Sequence, residues 1–166
     1  MSSKNLTDNI IIRHSTPNDI PDILNMIKGL AEYEKLADEV RATENNLEKY
    51  IFGKEKFVDA WLAEFNNEIA GHVIFFHNFS TFLSKPGLYI EELYVKPEFR
   101  NKGIGKKLLM KVIEIAKADN CGRVEWAVLD WNKPAIEFYK SMKALAMDEW
   151  TVFRLTEDNF GQFKGN

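Results

Sequence analysis

Apolar positions along this chain switch between two periods. Ile20, Ile23, Leu24, Ile27, Leu30 and Ala31 recur three and four residues apart, which predicts an amphipathic helix. Thr16 is its candidate N-cap and Pro17 its first helical position. Thr43-Glu44-Asn45-Asn46 can cap a second helix carrying Leu47, Tyr50 and Ile51. Short β-like runs cover residues 10–13, 58–64 and 69–77, with Asn66-Asn67 as a tight hairpin turn between the last two. Residues 79–87 read as a loop with aromatic members, and 88–95 as the next strand. A helix over 103–118 carries Leu108, Leu109, Val112, Ile113 and Ala116 on one face and ends at Asn120-Cys121-Gly122. A strand over 123–129 follows, then a helix opened by Asn132 and Pro134 that reaches about Met142, and a last strand over 151–155. Residues 1–8 read as a loose start. Repeats, low-complexity segments and linkers are absent from the sequence. Helices interleaved with strands, some joined as hairpins, predict an α/β (α+β) protein with a mixed sheet.

Length and charge narrow this picture. At 166 residues the chain is expected to form one domain over 1–166, with its core at about 10–156. A net charge of −3 supplies no basic field for nucleic acid or an anionic membrane, and suits a cationic partner better. The single cysteine, Cys121, excludes an internal disulfide framework and a cysteine-rich zinc site. It fits a reducing compartment, and with no signal-peptide pattern or bilayer-length apolar run the expectation is a cytoplasmic protein.

The chemistry concentrates in the second half. Arg100-Asn101-Lys102-Gly103-Ile104-Gly105 lies between the strand over 88–95 and the helix that follows. A glycine-bearing turn into a helix N-terminus aims backbone N–H groups and the positive end of the helix dipole at one spot, which suits a phosphate. The alternative is an ordinary helix start with a solvated basic face, Lys106, Lys107 and Lys111 included. No third glycine completes a dinucleotide fingerprint, and no Walker loop occurs. Glu91 and Glu92 are adjacent in a strand, so alternation sends them to opposite faces. Either one is solvated and one hydrogen-bonded, or one is placed to take a proton or hold a cation. Tyr139, on the last predicted helix, is a core tyrosine or a proton donor; a phenol with pKa ~10 is matched to a thiolate at ~8.5. Asp148-Glu149-Trp150 and Tyr33-Glu34 each pair acid with aromatic, a combination that can hold an ammonium group. His14, His72 and His77 lack metal-ligand spacing; they read as strand or loop histidines, and no metal is expected.

In order, these segments resemble the GNAT family of acetyl-CoA-dependent N-acetyltransferases over nearly the whole chain. The elements that carry the resemblance are R-x-x-G-x-G after a central strand and Asn132-x-Pro134-Ala135-x-x-Phe138-Tyr139 after the next. More narrowly, Leu30-Ala31-Glu32-Tyr33-Glu34-Lys35, Tyr89-Ile90-Glu91-Glu92-Leu93, Trp131-Asn132-Lys133-Pro134 and Trp150 look like its diamine (spermidine/spermine-type) branch. The resemblance implies a mostly antiparallel central sheet flanked by helices and a homodimer. It implies direct attack of an amine on acetyl-CoA, with Glu91 removing the amine's proton through water and Tyr139 protonating the departing thiolate. Leu93, Tyr94 and Val95 match the stretch that pairs with the pantetheine arm. Arg100, Asn101, Lys102, Gly103, Ile104, Gly105 and Lys106 match the pyrophosphate loop, and Asn132 and Tyr139 match further cofactor contacts. Tyr33, Glu34, Glu91, Glu92, Asp148 and Trp150 fall where that branch binds a small-molecule amine.

Three positions depart from the pattern. Asn101 stands where the turn often has glycine, and asparagine tolerates left-handed geometry. Met142-Lys143-Ala144 lacks the glycine usual at this helix end, so either Lys143 takes positive φ at a cost of ~1 kcal/mol or the helix ends differently. The loop Phe79-Ser80-Thr81-Phe82-Leu83 lacks the acid and tryptophan of polyamine-specific relatives, which leaves room for a shorter amine such as thialysine. Two other readings stay open: a protein lysine or N-terminal acetyltransferase, and a non-catalytic acyl-CoA-binding sensor.

Overall fold

A computed structural model describes residues 9–163; the loose start expected over 1–8 lies outside them. The elements are β1 (Ile10–His14), α1 (Ile20–Tyr33), α2 (Glu44–Ile51), β2 (Asp59–Phe65), β3 (Glu68–Ser80), β4 (Lys85–Val95), α3 (Ile104–Ala118), β5 (Val124–Trp126), α4 (Lys133–Ser141) and α5 (Glu157–Phe160). The chain divides into two compact units, the first ending at Ala127 and the second beginning at Val128.

The first unit is a five-stranded sheet in the order β1-β2-β3-β4-β5. Its first three pairings are antiparallel and β4–β5 is parallel, so the sheet is mixed and mostly antiparallel, as anticipated. The local cause is visible at each connection. Asn66 and Asn67 both take left-handed φ, 52° and 67°, the geometry that lets a two-residue turn follow the twist of its strands. The parallel pair instead needs a crossover, which α3 provides. The stripe on α1 is buried through Ile20, Ile23 and Leu24, and Met26 joins it. Ile23 and Met26 pack with Ile51, Ala60, Leu62, Ile74 and Tyr94 in one cluster. Leu108, Leu109, Val112 and Ala116 of α3 are buried as their spacing predicts.

Two expected segments differ. Residues 79–87 are not a loop: β3 runs to Ser80 and β4 starts at Lys85, with Phe79 opposite Pro86 and Ser80 opposite Lys85. Backbone pairing across the hairpin sustains these positions although Phe79 is exposed, and Ser80 Oγ closes the turn by accepting from Leu83 N–H at 3.2 Å. The strand expected over 151–155 is absent, and Val152 and Phe153 are 81% and 92% exposed. A strand needs a neighbour for its N–H and C=O groups, and the second unit has helices alone among its described residues. The strand over 123–129 shortens to Val124–Trp126 because β4 offers β5 partners only at Leu88, Tyr89 and Ile90.

The entry to α1 is held by charge. Asp19 accepts from both terminal nitrogens of Arg13 (2.8 and 2.7 Å) and from the backbone N–H and hydroxyl of Thr16 (2.7 and 2.8 Å). The guanidinium and these donors lower its carboxyl from 3.8 to about 2. The folded value lies below the unfolded one, so the stabilisation is full above pH 3.8 and lost as pH falls to about 2. Asp19→Asn should therefore cost about 2 kcal/mol at pH 7. In urea unfolding the gap to the parent should close across that window; a gap independent of pH would place the effect elsewhere.

In the second unit, Asn132 caps α4 by accepting from Ala135 N–H at 3.3 Å. At its other end Lys143 takes φ 64°, with Lys143 N–H bonded to Lys140 O and Ala144 N–H to Tyr139 O. This is the left-handed helix end that glycine normally supplies. Lys143→Gly should stabilise the protein by about 1 kcal/mol, read as a raised Tm; an unchanged Tm would mean the lysine is not strained there.

Candidate active site

The site is organised by an irregularity in β4. Along the β3–β4 pairing Phe75 faces Ile90 and Ile74 faces Glu92, which leaves Glu91 as an extra, unmatched residue. Such a bulge bends the strand and re-aims side chains. It divides the two acids: Glu91 is exposed, while Glu92 is largely buried and hydrogen-bonded to Nε2 of His72 on β3. The opening it makes is equally clear on the other edge. β5 pairs with β4 through Ile90 and no further, so from Glu91 to Val95 that edge has no strand beside it among the described residues. Leu93, Tyr94 and Val95 therefore keep one side open while Val73, His72 and Gly71 hold the other.

The open edge leads directly into the glycine turn. Asn101 has φ 62° and Gly103 φ 83°, both left-handed, and α3 begins at Ile104. Asparagine thus adopts the geometry expected of it. A Cβ on Gly103 would meet nothing within 4 Å, so its backbone angle rather than crowding calls for glycine. Beyond it the first-turn N–H groups of α3 have no acceptor within the helix. Lys106 is exposed and Gly105 half-buried, its α-carbon face against Leu93 and Val95.

Arg100, at the start of this turn, is engaged by its neighbours. Its Nε donates to Val95 O at 3.1 Å, and its guanidinium lies 4.7 Å from the Tyr33 ring and 5.8 Å from the Tyr94 ring. It ties the turn to the end of β4 and to the last residue of α1. Lys102 Nζ donates to Glu98 O at 3.1 Å.

Three predicted amine-side groups of the first unit, Tyr33, Glu34 and Glu92, come together around β4, while Glu91 stands apart in the bulge. Tyr33 and Glu34 end α1, and the backbone reverses through Lys35 at φ 63°. Burial pushes the Glu34 carboxyl up, and the nearby Glu92 charge pushes it further. Two carboxylates and the Tyr33 face thus share one region, with Tyr94 beneath the guanidinium. Two like charges held together attract a cation. In the second unit, Tyr139 lies on α4, half-buried, with its ring 5.2 Å from Phe138. Asn132 is buried at the start of the same helix, whereas Asp148 and Trp150 are exposed on an irregular segment.

Sequence reasoning read His72 as a strand or loop histidine and gave it no part in the site; it lies on β3. One signal could have found it: it is the single polar residue within the run Ala70-Gly71-His72-Val73-Ile74-Phe75. Among the described residues no group of three or more His, Cys, Asp or Glu could hold a metal, and no helix is long and apolar enough to cross a membrane.

Comparison with known proteins shows the family. Residues 22–143, which run from the first unit into the second, match the Acetyltransferase (GNAT) family. The chain is 35% identical to thialysine N-epsilon-acetyltransferase of Bos taurus, over 94% of this chain and 98% of that protein. It is 33% identical to an L-ornithine N5-acetyltransferase of Arabidopsis thaliana, over 89% and 84% respectively. Among solved structures, an aminoglycoside acetyltransferase from an uncultured soil sample, in complex with sisomicin, superposes with a TM-score of 0.76. It is 20% identical over 91% of this chain and 98% of that one, a likeness of fold. A split, bulged β4 running into a glycine turn, together with a family match over 22–143, places this chain in the GNAT family of N-acetyltransferases.

Proposed function

We propose that this protein transfers an acetyl group from acetyl-CoA to a primary amine of a small molecule: a diamine, a polyamine or a lysine analogue such as thialysine. The observation that carries the reading is the edge of β4 left open from Glu91 onward, continuing into the left-handed turn at Gly103. That pairing of features fits the cosubstrate: an edge without a neighbouring strand suits the amide-bearing pantetheine arm, and first-turn N–H groups suit its pyrophosphate. Acetyl-CoA, when bound, supplies the activated acetyl thioester.

The chain's own residues do the rest. Backbone groups of Leu93, Tyr94 and Val95 pair with the arm and polarise the acetyl carbonyl. Asn101, Lys102, Gly103, Ile104, Gly105 and Lys106 surround the phosphates, and Asn132 and Tyr139 add contacts. Arg100 serves by holding the turn against Val95 and Tyr33. Glu34 and Glu92, with Tyr33, Asp148 and Trp150, hold the cationic acceptor. Glu91 takes the ammonium proton through water, the neutral amine attacks in a ternary complex, and Tyr139 protonates the leaving thiolate. We propose further that residues 1–166 work as one domain, in the cytoplasm, without a metal, nucleic acid or membrane. The exposed apolar run Val152, Phe153 and Leu155 supports a homodimer that covers it.

The test is coenzyme A release from acetyl-CoA against spermidine, spermine, putrescine, thialysine, ornithine, lysine and a lysine peptide. Turnover on a small amine with the peptide inert is the expected result. Turnover confined to the peptide would move the assignment to protein acetylation. Silence across the panel with acetyl-CoA still bound would favour a sensor.

A further inference from the structure

One buried titratable side chain has no task in the mechanism above. His72 is fully buried in the middle of β3, its Nε2 against Oε1 of Glu92. Its ring meets Tyr94 edge-on, centroids 6.4 Å apart. With Nε2–H as the donor, the Glu92 carboxylate oxygen accepts. Nδ1 is buried with no hydrogen-bond partner, so the imidazole directs its one polar contact to a single atom. An apolar side chain would fill this space without the desolvation cost of an unsatisfied nitrogen. What histidine adds is a fixed donor for Glu92.

That donor has something to oppose. The contact is a diagonal cross-strand pair: His72 faces Tyr94 and Glu92 faces Ile74. Glu34 directly follows Tyr33, whose ring shares the Arg100 guanidinium with Tyr94, the residue opposite His72, and on this side of the sheet Glu34 feels the Glu92 charge. Two carboxylates in one region repel, and an untethered Glu92 would rotate away from Glu34. Arg100, also close by, is engaged with Val95 O and the rings of Tyr33 and Tyr94, and the charges of Glu32 and Glu98 reach Tyr94 as well.

We propose that His72 is a positioning residue for acceptor recognition: by pinning one oxygen of Glu92 it keeps that carboxylate beside Glu34, forming a subsite for a second cationic nitrogen of the acceptor. This deepens the amine acetyltransferase reading and rests on it. Acceptors with two ammonium groups then gain from His72, and monoamines of equal length do not.

The experiment compares 1,5-diaminopentane with pentylamine at saturating acetyl-CoA, in the wild type, His72→Phe and His72→Gln. His72→Phe is expected to raise KM for the diamine about tenfold, leaving kcat and the KM values for pentylamine and acetyl-CoA within about twofold. Glutamine, whose amide nitrogen can stand near the Nε2 position, should bring the diamine KM back to within about threefold. An unchanged diamine KM, an equal rise for both amines, or a His72→Gln variant as impaired as His72→Phe would each overturn the assignment. If His72→Phe does not fold, His72→Asn, whose amide is one methylene too short, takes its place. If the wild type turns over neither amine, the acetyltransferase reading fails on its own account. The His72 assignment is then decided by calorimetric Kd for 1,5-diaminopentane: about tenfold weaker binding in the variant supports it, and equal binding overturns it.

Discussion

Replacing Glu91 by glutamine is expected to lower kcat/KM for the amine about 10²- to 10³-fold at pH 7, with acetyl-CoA binding unchanged. An alkyl amine with a pKa near ~10.4 is almost wholly protonated at that pH, and its ammonium form has no lone pair for attack. Glu91 is the exposed, unmatched residue of the β4 bulge, placed where the β5 edge of the strand falls open. Its neighbour cannot take over, since Glu92 is committed to His72. The pH dependence separates roles. Free amine grows about tenfold per pH unit below the amine's own pKa, so the variant's deficit should shrink between pH 7 and pH 10. A deficit constant across that range would remove Glu91 from proton transfer and leave it an electrostatic role.

Tyr139→Phe is the second large effect. It should lower kcat about 10²-fold while acetyl-CoA Kd stays within about twofold. The ring is kept, and with it the contact to Phe138; only the hydroxyl is lost. A phenol at ~10 is near enough in pKa to an alkyl thiol at ~8.5 to share its proton as the C–S bond breaks; without it the thiolate must leave unprotonated. A thioester donor with a more acidic thiol should suffer less from the substitution. Unchanged turnover in this variant would take Tyr139 out of the proposed chemistry. A protein that binds acetyl-CoA but turns nothing over, with or without the hydroxyl, would be a sensor.

Much of the architecture was legible because burial leaves a periodic trace. Ile20, Ile23 and Leu24 on α1 and Leu108, Leu109 and Val112 on α3 are buried as their spacing required. Positions that need left-handed backbone were legible too: Asn66-Asn67 as a turn, Asn101 in the loop, and Lys143, whose positive φ is one of the two outcomes the missing glycine allowed. The bulge left a fainter trace. Along β4 the apolar positions are Leu88 and Ile90, then Leu93 and Val95, so parity changes across Glu91-Glu92, the mark of one extra residue. Strict alternation alone divides the two acids by face, without identifying which is exposed.

By itself the sequence determined the order of elements, the glycine turn, the family and the residue types available for chemistry, because these depend on neighbours within one turn of helix or two residues of strand. Tertiary structure decided what depends on distant partners. Ladder pairing extended β3 and β4 through 79–87 and left 151–155 without a strand. The end of β5 pairing at Ile90 opened the β4 edge, and the meeting of β3, β4 and α1 brought His72, Glu92 and Glu34 into one electrostatic group. Arg100 shows this too: its place in the turn is local, but its contacts reach a carbonyl five residues back and a ring sixty-seven residues away, at Tyr33. Backbone periodicity is written locally, but where a charged side chain finds its partners is settled only when strands and helices from distant parts of the chain have packed.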